Sequence, residues 1–272
     1  DVATVDSNGV ITIVGVGNVV IRAQAENSTK LDEITLFVND EVLSTTKAID
    51  VAMYGMDSNS TVFVLLDNGD VWYFGDYQYE IPQKANISNV AELSGYGYGV
   101  YAITNDGKLY QLDPNSTYER TGFPAGTEVV DVASTGDTTL AVLNDGTVYG
   151  WGNNNYAQIA DSSISHVPNP TKIVGLTNIV DVELSYRTFL FVYTNGDVYY
   201  RGGPAYINEP TQITELSNII NVDPDVVYYY WNGYDAFTIV DMNNNYIPIR
   251  FTNEGYDMEE PFADQGIEGN LI

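Results

Sequence analysis

Short runs in which apolar and polar residues alternate, separated by turn residues, extend along most of the chain. Residues 10–14 (VITIV) follow a Ser-Asn-Gly turn, residues 19–23 (VVIRA) follow Gly17-Asn18, and residues 34–38 (ITLFV) follow an acidic pair. β-Branched and aromatic residues between Gly, Asn and Asp boundaries are typical of strands. No segment of ten or more residues has the helical period. The pattern therefore predicts an all-β chain.

A unit of strand, short gap, strand, tight turn and strand recurs after residue 47. Its turn glycines are Gly69, Gly107, Gly146 and Gly196, and a fifth unit places Asn244-Asn245 at the turn. Asn-Gly and Asp-Gly favour two-residue primed turns in hairpins. We expect stretches such as residues 170–178 (PTKIVGLTN) to add an outer strand before the next unit. Repeats of this kind predict a β-propeller of about five blades.

The third unit resembles the repeat of the regulator-of-chromosome-condensation family. The resemblance rests on residues 143–153 (LNDGTVYGWGN). Residues 157–160 are AQIA where the family usually has Gly-Gln-Leu-Gly, and residues 136–139 are GDTT where it usually has Gly-Gly-x-His. The resemblance covers residues 47–250 and implies the propeller fold. Eukaryotic members act as nucleotide-exchange factors or chromatin binders, but no residue here matches the exchange region, so that role is not carried over.

The opening of the chain resembles the C-terminal half of a bacterial immunoglobulin-like group 2 domain. Residues 2–23 (VATVDSNGVITIVGVGNVVIRA) and the strand at 34–38 carry the resemblance. It implies a fragment of an immunoglobulin-like β-sandwich, a module that usually serves as a rigid spacer or adhesive unit in extracellular or phage proteins. We therefore expect a partial immunoglobulin-like domain at 1–40, a linker at 41–47, propeller repeats at 48–254 and an irregular acidic tail at 255–272.

Closure of the propeller ring has two interpretations. Five units fit a small closed ring in one chain, or a strand at residues 42–46 (VLSTT) completes the ring. The tail after residue 254 is either an irregular cap or an arm that reaches a neighbouring subunit.

Composition excludes several classes of function. The chain has 10 Lys and Arg against 37 Asp and Glu, a net charge of −27. A phosphate backbone is bound by clustered Lys and Arg, so we expect no nucleic-acid partner. The absence of cysteine excludes thiol catalysis, thiolate metal sites and disulfides. No run of about 18 apolar residues is present, so we expect no insertion into a membrane.

Candidate catalytic groups are few. The single histidine, His166, falls in a polar connection, and carboxylate pairs such as Asp223/Asp225 and Glu259/Glu260 are expected from the abundance of acids alone. A carboxylate-dependent glycosidase would need such a pair, and we keep it as a second alternative. Our interpretation is that the chain is not an enzyme, has no catalytic residues and has no cofactor.

Two groups of turn residues bear on ligands. Asn153–Asn155 and residues 241–245 offer oxygen atoms that would suit structural calcium, although turn formation explains them better. The glycine-rich residues 95–99 (GYGYG) precede no helix, so they are predicted to form a tight turn rather than a phosphate site.

Aromatic residues suggest a binding surface. The densest stretch is residues 228–234 (YYYWNGY), in a chain with 22 tyrosines. Exposed aromatic rings stack on sugars or anchor a protein partner. We therefore predict Tyr229, Trp231 and Tyr234 as ligand-binding residues, with packing between blades as the alternative.

These features together predict a non-enzymatic structural or adhesive protein, extracellular, at a cell surface or in a virion. Its expected partners are other copies of itself, a larger surface or virion assembly, or surface glycans. The first alternative is a carbohydrate-binding module of a larger glycan-active protein.

Overall fold

The computed structural model describes residues 3–5, 11–13, 17–23, 32–38, 46–55, 60–75, 79–161, 163–185, 187–216, 219–223, 235–241 and 246–258. These residues form 25 strands, which confirms the all-β prediction. Within these ranges, no helix has the length and apolar character needed to cross a membrane.

The first four strands form two antiparallel pairs. β1 (Ala3–Val5) pairs with β2 (Ile11–Ile13), and β3 (Gly17–Ala23) pairs with β4 (Asp32–Val38). These pairs agree with the strands expected near the start of the chain. The assignment of residues 1–40 to an immunoglobulin-like sandwich stays a prediction.

The remaining strands build five sheets, which we call the first to fifth blades. The strands are β5 (Ala48–Tyr54), β6 (Thr61–Leu66), β7 (Val71–Gly75) and β8 (Tyr79–Lys84); β9 (Val90–Ser94), β10 (Tyr96–Gly97), β11 (Val100–Thr104), β12 (Leu109–Asp113) and β13 (Ser116–Arg120); β14 (Val129–Ser134), β15 (Thr138–Leu143), β16 (Val148–Asn153) and β17 (His166–Lys172); β18 (Ile179–Leu184), β19 (Thr188–Tyr193), β20 (Val198–Gly202) and β21 (Ile207–Gln212); and β22 (Ile219–Asp223), β23 (Asp235–Asp241), β24 (Tyr246–Thr252) and β25 (Gly255–Asp257).

The second to fifth blades are four-stranded antiparallel sheets in sequence order. The first blade has the same four antiparallel strands and, in addition, β10, which lies parallel to β5. The first strands of successive blades contact one another: β5 with β9, β9 with β14, β14 with β18, and β18 with β22. The blades are therefore arranged with their first strands toward a shared axis, as in a propeller.

The hairpin turns between the second and third strands differ from the prediction. At Gly69 the N–H donates to the Leu66 carbonyl at 2.9 Å, and the Leu66 N–H donates to the Asp70 carbonyl at 2.9 Å. Only the glycine has a positive φ, +81°, so the predicted two-residue primed turn is wrong. The loop has three residues and ends in a left-handed glycine. At the equivalent Gly146, a Cβ would lie 2.8 Å from the Asn178 backbone, so the turn also requires glycine for space.

The outer strands begin earlier than the sequence pattern indicated. In the third blade the outer strand is β17, and residues 173–178 form the passage to the fourth blade. His166 therefore lies on an exposed strand and not in a polar connection. In the fifth blade the outer strand is β25, so the repeat array extends past the expected end at residue 254. Residues 42–45, expected as a closing strand, and 259–272 lie outside the described residues.

Four apolar clusters fill the spaces between successive blades. Alternate residues of each strand point to opposite faces, so one face of a blade meets the next blade and the other face meets the preceding one. Buried representatives of the four spaces are Phe63 with Leu93, Ile103 with Val132, Leu140 with Val182, and Leu190 with Phe237. This packing is the main apolar core of residues 48–258.

Residues 95–99 connect two blades instead of forming only a tight turn. Tyr96 and Gly97 form β10, which runs parallel to β5 in the first blade. The Gly55 N–H donates to the Gly97 carbonyl at 2.8 Å. The segment thus adds a fifth strand to the first blade and joins it to the second.

Candidate binding surface at one rim of the propeller

The blades have two different rims. The three-residue hairpin turns at Gly69, Gly107, Gly146 and Gly196 lie at one rim, which we call the turn rim. The loops that follow the first and third strands of each blade lie at the opposite rim, which we call the loop rim. Residues 135–137 and 154–165 are the loop-rim segments of the third blade, and residues 203–206 belong to the fourth.

Asn154 organises the longest described loop of the loop rim. Its side chain is fully buried, and its Oδ1 accepts hydrogen bonds from the N–H groups of Ile159 at 2.7 Å and Ala160 at 3.1 Å. Its Nδ2 donates to the carbonyls of Ala160, Asp161 and Ile164 at 3.3, 3.2 and 2.6 Å. One amide therefore satisfies backbone groups across the loop, which fixes the loop without a helix or strand.

Arg201 fastens this loop to the fourth blade. Its Nε donates to the Ala157 carbonyl at 2.9 Å, and a terminal nitrogen donates to the Ala160 carbonyl at 3.2 Å. Burial lowers the pKa of the Arg201 guanidinium, while Glu209 and Asp161 act in the opposite direction. Its neighbour Gly202 allows close contact, because a Cβ there would lie 2.4 Å from the Arg187 carbonyl oxygen.

Two tyrosines and an arginine meet above this support. The rings of Tyr156 and Tyr206 lie 5.4 Å apart between centroids at an interplanar angle of 33°. The Cζ of Arg187 lies 5.6 Å from the centroid of the Tyr156 ring. Tyr206 is 55% exposed, and Tyr156 and Arg187 are half-buried. We call these three residues the tyrosine–arginine cluster.

The backbone of the tyrosine–arginine cluster is held in place on both sides. The Tyr156 N–H donates to Oε1 of Gln158 at 3.0 Å. The Gly203 N–H donates to the Arg187 carbonyl at 2.8 Å, and the Tyr206 N–H donates to the Gly203 carbonyl at 3.0 Å. The cluster is therefore a preorganised aromatic and cationic surface, the combination that dominates protein-binding hot spots.

A second aromatic group lies at the loop rim of the first two blades. The rings of Tyr54 and Tyr98 form an edge-to-face pair with centroids 5.5 Å apart, and Tyr98 is 55% exposed. The Tyr54 hydroxyl donates to a carboxylate oxygen of Asp113 at 3.4 Å, and the Tyr79 hydroxyl donates to Oδ1 of Asn115 at 2.7 Å. Burial and then Asp113 raise the pKa of Tyr54. We call these residues the tyrosine–carboxylate cluster.

The aromatic residues predicted as ligand-binding stay a prediction. Tyr229, Trp231 and Tyr234 lie outside the described residues, in the chain between β22 and β23. These three residues are predicted from the local density of aromatic residues in the sequence. Tyr156 and Tyr206 are 50 residues apart in sequence, so only the packing of two repeats brings them together.

The groups considered for metal or acid–base chemistry lie only partly within the described residues. Asn153 Oδ1 accepts the Asn155 N–H at 2.8 Å, which is turn formation. Asp241 ends β23 and Asp223 ends β22, whereas Asp225, Glu259, Glu260 and residues 242–245 lie outside the described residues. In the part of the chain that the structure describes, no three His, Cys, Asp or Glu side chains are placed to hold a metal ion.

A repeated carboxylate was missed by sequence reasoning. Asp50, Glu92, Asp131 and Asp181 occupy the third position of the first strands of four blades. Oδ2 of Asp50 accepts the Leu93 N–H at 2.7 Å, and Oδ2 of Asp131 accepts the Val182 N–H at 2.8 Å, each in the following blade. We call these four residues the inner carboxylates. Aligning the first strands in the sequence would have revealed them.

Burial and mutual repulsion change the acidity of the inner carboxylates. Burial, followed by the charges of Asp50 and Asp181, raises the pKa of Glu92 from 4.5 to about 7. Burial and then Asp181 raise the pKa of Asp131 well above its ordinary value. Asp50 and Asp131 thus join neighbouring blades, and the closeness of the four acidic groups along the shared axis disfavours their ionisation.

Comparison with known proteins agrees with the repeat architecture. Two family models, each described as a regulator of chromosome condensation (RCC1) repeat, match residues 129–158 and 145–192. Residues 129–192 match regulator-of-chromosome-condensation repeats. This confirms the resemblance predicted from residues 143–153. Neither model extends to residues 1–40, so the immunoglobulin-like resemblance remains a prediction.

Curated relatives match the repeats over part of this chain. The mouse E3 ubiquitin-protein ligase HERC2 is 27% identical over 157 residues, which are 48% of this chain and 3% of HERC2. The mouse RCC1-like G exchanging factor-like protein is 36% identical over 120 residues, which are 43% of this chain and 25% of that protein. The match therefore spans a quarter or less of the length of these relatives.

Solved structures share the fold at low sequence identity. Human WBSCR16 superposes with a TM-score of 0.61 at 16% identity, over 87% of this chain and 74% of that chain. Prp20p from Saccharomyces cerevisiae superposes with a TM-score of 0.53 at 17% identity, over 67% of this chain and 52% of that chain. These similarities support an all-β fold of repeated four-stranded sheets of the propeller type.

Proposed function

We propose that this chain is a non-enzymatic binding platform whose loop rim recognises a protein partner. The tyrosine–arginine cluster carries the proposal. It combines the exposed ring of Tyr206 with the half-buried ring of Tyr156, 5.4 Å away, and a guanidinium beside the Tyr156 ring. Tyrosine provides a large contact area while immobilising few rotatable bonds, and arginine provides directional hydrogen bonds; both are enriched at the centres of protein interfaces.

The loops that support the tyrosine–arginine cluster are held in one conformation, which favours the binding of a partner. Asn154 and Arg201 together hold the backbone of residues 157–161 and of Ile164 through buried hydrogen bonds. A surface that is already ordered loses little conformational entropy when a partner binds. The cluster therefore suits a partner segment that places an aromatic ring or a carboxylate against the tyrosines and Arg187.

Proteins of the same fold provide a parallel. The structure of yeast Prp20p was described together with its binding to Gsp1p and histones, and yeast RCC1 (Prp20) was solved bound to Kap60. These partners belong to the yeast protein. They support a protein partner for this propeller-type fold as a class, without indicating which protein.

We further propose that the chain is a structural or adhesive component, extracellular, at a cell surface or in a virion. The resemblance of residues 1–40 to a spacer module and the net charge of −27 support this setting. Self-repulsion at this charge keeps a displayed protein soluble and separates it from acidic surfaces.

Peptide selection tests the proposed function. The full chain, a Tyr156→Ala/Tyr206→Ala double variant and a Tyr118→Ala control are each used to pan a random-peptide phage library. Tyr118 is the matched control because it is equally exposed, on β13, away from the loop rim. We expect a consensus peptide from the wild type and the control and none from the double variant. The same consensus from the double variant, or no consensus from the wild type, would refute the proposal.

The tyrosine–carboxylate cluster favours a second candidate function, binding of a neutral glycan. Sugar rings stack on exposed aromatic faces, and their hydroxyls donate to carboxylate and amide oxygens, here those of Asp113 and Asn115. A glycan array probed with wild type and with Tyr98→Ala tests it. Binding that Tyr98→Ala removes supports this function, and a blank array with the folded wild type excludes it.

A further inference from the structure

The first blade exposes a face that every other described blade buries. Val51 follows the inner carboxylate of the first blade and is 63% exposed. The equivalent residues Leu93, Val132 and Val182 are 5%, 2% and 1% exposed, because each packs against the preceding blade. The repeat therefore includes an apolar position for a neighbour that the first blade lacks.

This exposed face is continuous across the first blade. The register pairs Val51 with Val64 and Val64 with Trp72, and it pairs Met53 with Val62 and Val62 with Phe74. Cross-strand partners share a face of a sheet. We call these six residues the leading face of the first blade; Met53 is 38% exposed and the others of β6 and β7 are half-buried.

The four described interfaces between blades show which kind of surface packs against a leading face. In each one, a leading face packs against the opposite, trailing face of the preceding blade, as where Val182 and Phe189 meet Leu140 and Val142. The complement of the leading face is thus an apolar trailing face of another blade. Among the five described blades, the first four bury their trailing faces against the next blade, which leaves the trailing face of the fifth.

Two parts of the same chain, the fifth blade and the β3–β4 pair, could pack over this face. The extensive contacts between described blades join consecutive blades, and Val51 is exposed, so the fifth blade does not cover the first. β4 contacts β8, the outer strand of the first blade, but Val51 and Met53 on the inner strand β5 stay exposed. Neither the fifth blade nor the β3–β4 pair therefore covers the inner half of the face.

We propose that the leading face of the first blade binds a second copy of this chain through the trailing face of a blade. The contact continues the interface that the chain uses four times internally. It is head-to-tail, so it generates a ring of copies if its rotation closes and a filament if it does not. The surface is separate from the tyrosine–arginine cluster, so this inference is independent of the proposed function.

The test measures the mass of the full chain by light scattering across a concentration series. The variant Val51→Glu places a charge in the leading face, and Val174→Glu is the control, because Val174 is 88% exposed at the turn rim. We expect wild type and Val174→Glu to associate at high concentration and Val51→Glu to stay monomeric. Circular dichroism establishes that each variant folds, and Met53→Lys replaces Val51→Glu if that variant does not fold.

Three results would overturn the inference. A wild type that stays monomeric at every concentration contradicts it. Association that Val51→Glu and Met53→Lys leave unchanged places the contact elsewhere. Protection of the Val51 and Met53 side chains from hydroxyl-radical labelling in the dilute monomer would indicate that the chain covers its own leading face.

Discussion

Oδ2 of Asp131 accepts a 2.8 Å hydrogen bond from the backbone N–H of Val182, which lies 51 residues further along the chain. The bond joins the first strands of the third and fourth blades. Asp50 makes the same bond to Leu93 between the first and second blades. A single side chain thus connects the backbones of neighbouring repeats, at the cost of placing acidic groups close together.

Removing this acceptor should destabilise the protein, whereas removing only its charge should not. We expect Asp131→Ala to lower the free energy of unfolding by about 1–3 kcal/mol, since the Val182 N–H loses its partner. Asp131→Asn keeps an acceptor and removes repulsion from Asp181, and the fifth blade has Asn221 at this position. We therefore expect Asp131→Asn to be at least as stable as wild type. Urea unfolding measures both, with the exposed Asp137→Ala as control; equal losses for Asp131→Ala and Asp131→Asn would contradict this account.

Stability should fall as the pH rises from 4.5 through 7. Folding raises the pKa of Glu92 to about 7, so the folded state keeps a proton that the unfolded chain loses near pH 4.5. The stabilisation is complete below pH 4.5 and is lost above about pH 7, with an upper size of ~3 kcal/mol. We expect Glu92→Gln to reduce this slope in urea unfolding, relative to wild type and to the exposed Glu128→Gln. An unchanged slope would show that Glu92 does not titrate in this range.

Gly202→Ala should disturb the tyrosine–arginine cluster. The new Cβ would lie 2.4 Å from the Arg187 carbonyl and 3.0 Å from Cγ of Gln158, at a φ of +81°. Gly175→Ala is the control for backbone strain alone, since Gly175 has a φ of +90° and no atom within 4 Å of its Cβ position. We expect Gly175→Ala to cost about 1 kcal/mol and Gly202→Ala to cost about 1–3 kcal/mol more. Equal thermal unfolding of the two variants would refute the close contact.

Asn154→Ala should release the loop at residues 154–165. The substitution removes five hydrogen bonds from a buried amide to the backbone of this loop. We expect limited proteolysis to cut the variant within the loop at least ten times faster than wild type, which corresponds to about 1.4 kcal/mol in local opening. Asn155→Ala, at the exposed neighbour, should be cut at the wild-type rate. Equal rates for all three proteins would mean that Asn154 does not hold the loop.

The sequence predicted the repeats because their signals are local. Strand patterns and turn glycines lie within a few residues of one another, so the positions of the second and third strands followed directly. The outer strands were harder to place, because β17 (HVPNPTK) is largely exposed and its sequence has little apolar alternation. The prediction of primed turns was wrong because Asn-Gly also occurs in three-residue loops that end in a left-handed glycine. Which of the two turns forms depends on the neighbouring strands.

The binding surface could not be predicted in the same way. Tyr156, Arg187 and Tyr206 come from three loops of two repeats, and none of their local sequences differs from ordinary turn sequence. The leading face of the first blade was likewise hidden, because its residues have the same apolar pattern as those of the buried blades. The tyrosine–arginine cluster and the exposed leading face both depend on which repeats are neighbours in the fold. Local sequence patterns do not carry this information.

The most direct test of the loop rim as the binding surface is the affinity of a selected peptide for three proteins: wild type, Tyr206→Ala and Tyr118→Ala. Isothermal titration gives the dissociation constants. We expect Tyr206→Ala to bind at least about tenfold more weakly than wild type, a loss of about 1.4 kcal/mol, and Tyr118→Ala to bind as wild type does. Equal affinity for all three proteins would contradict this prediction.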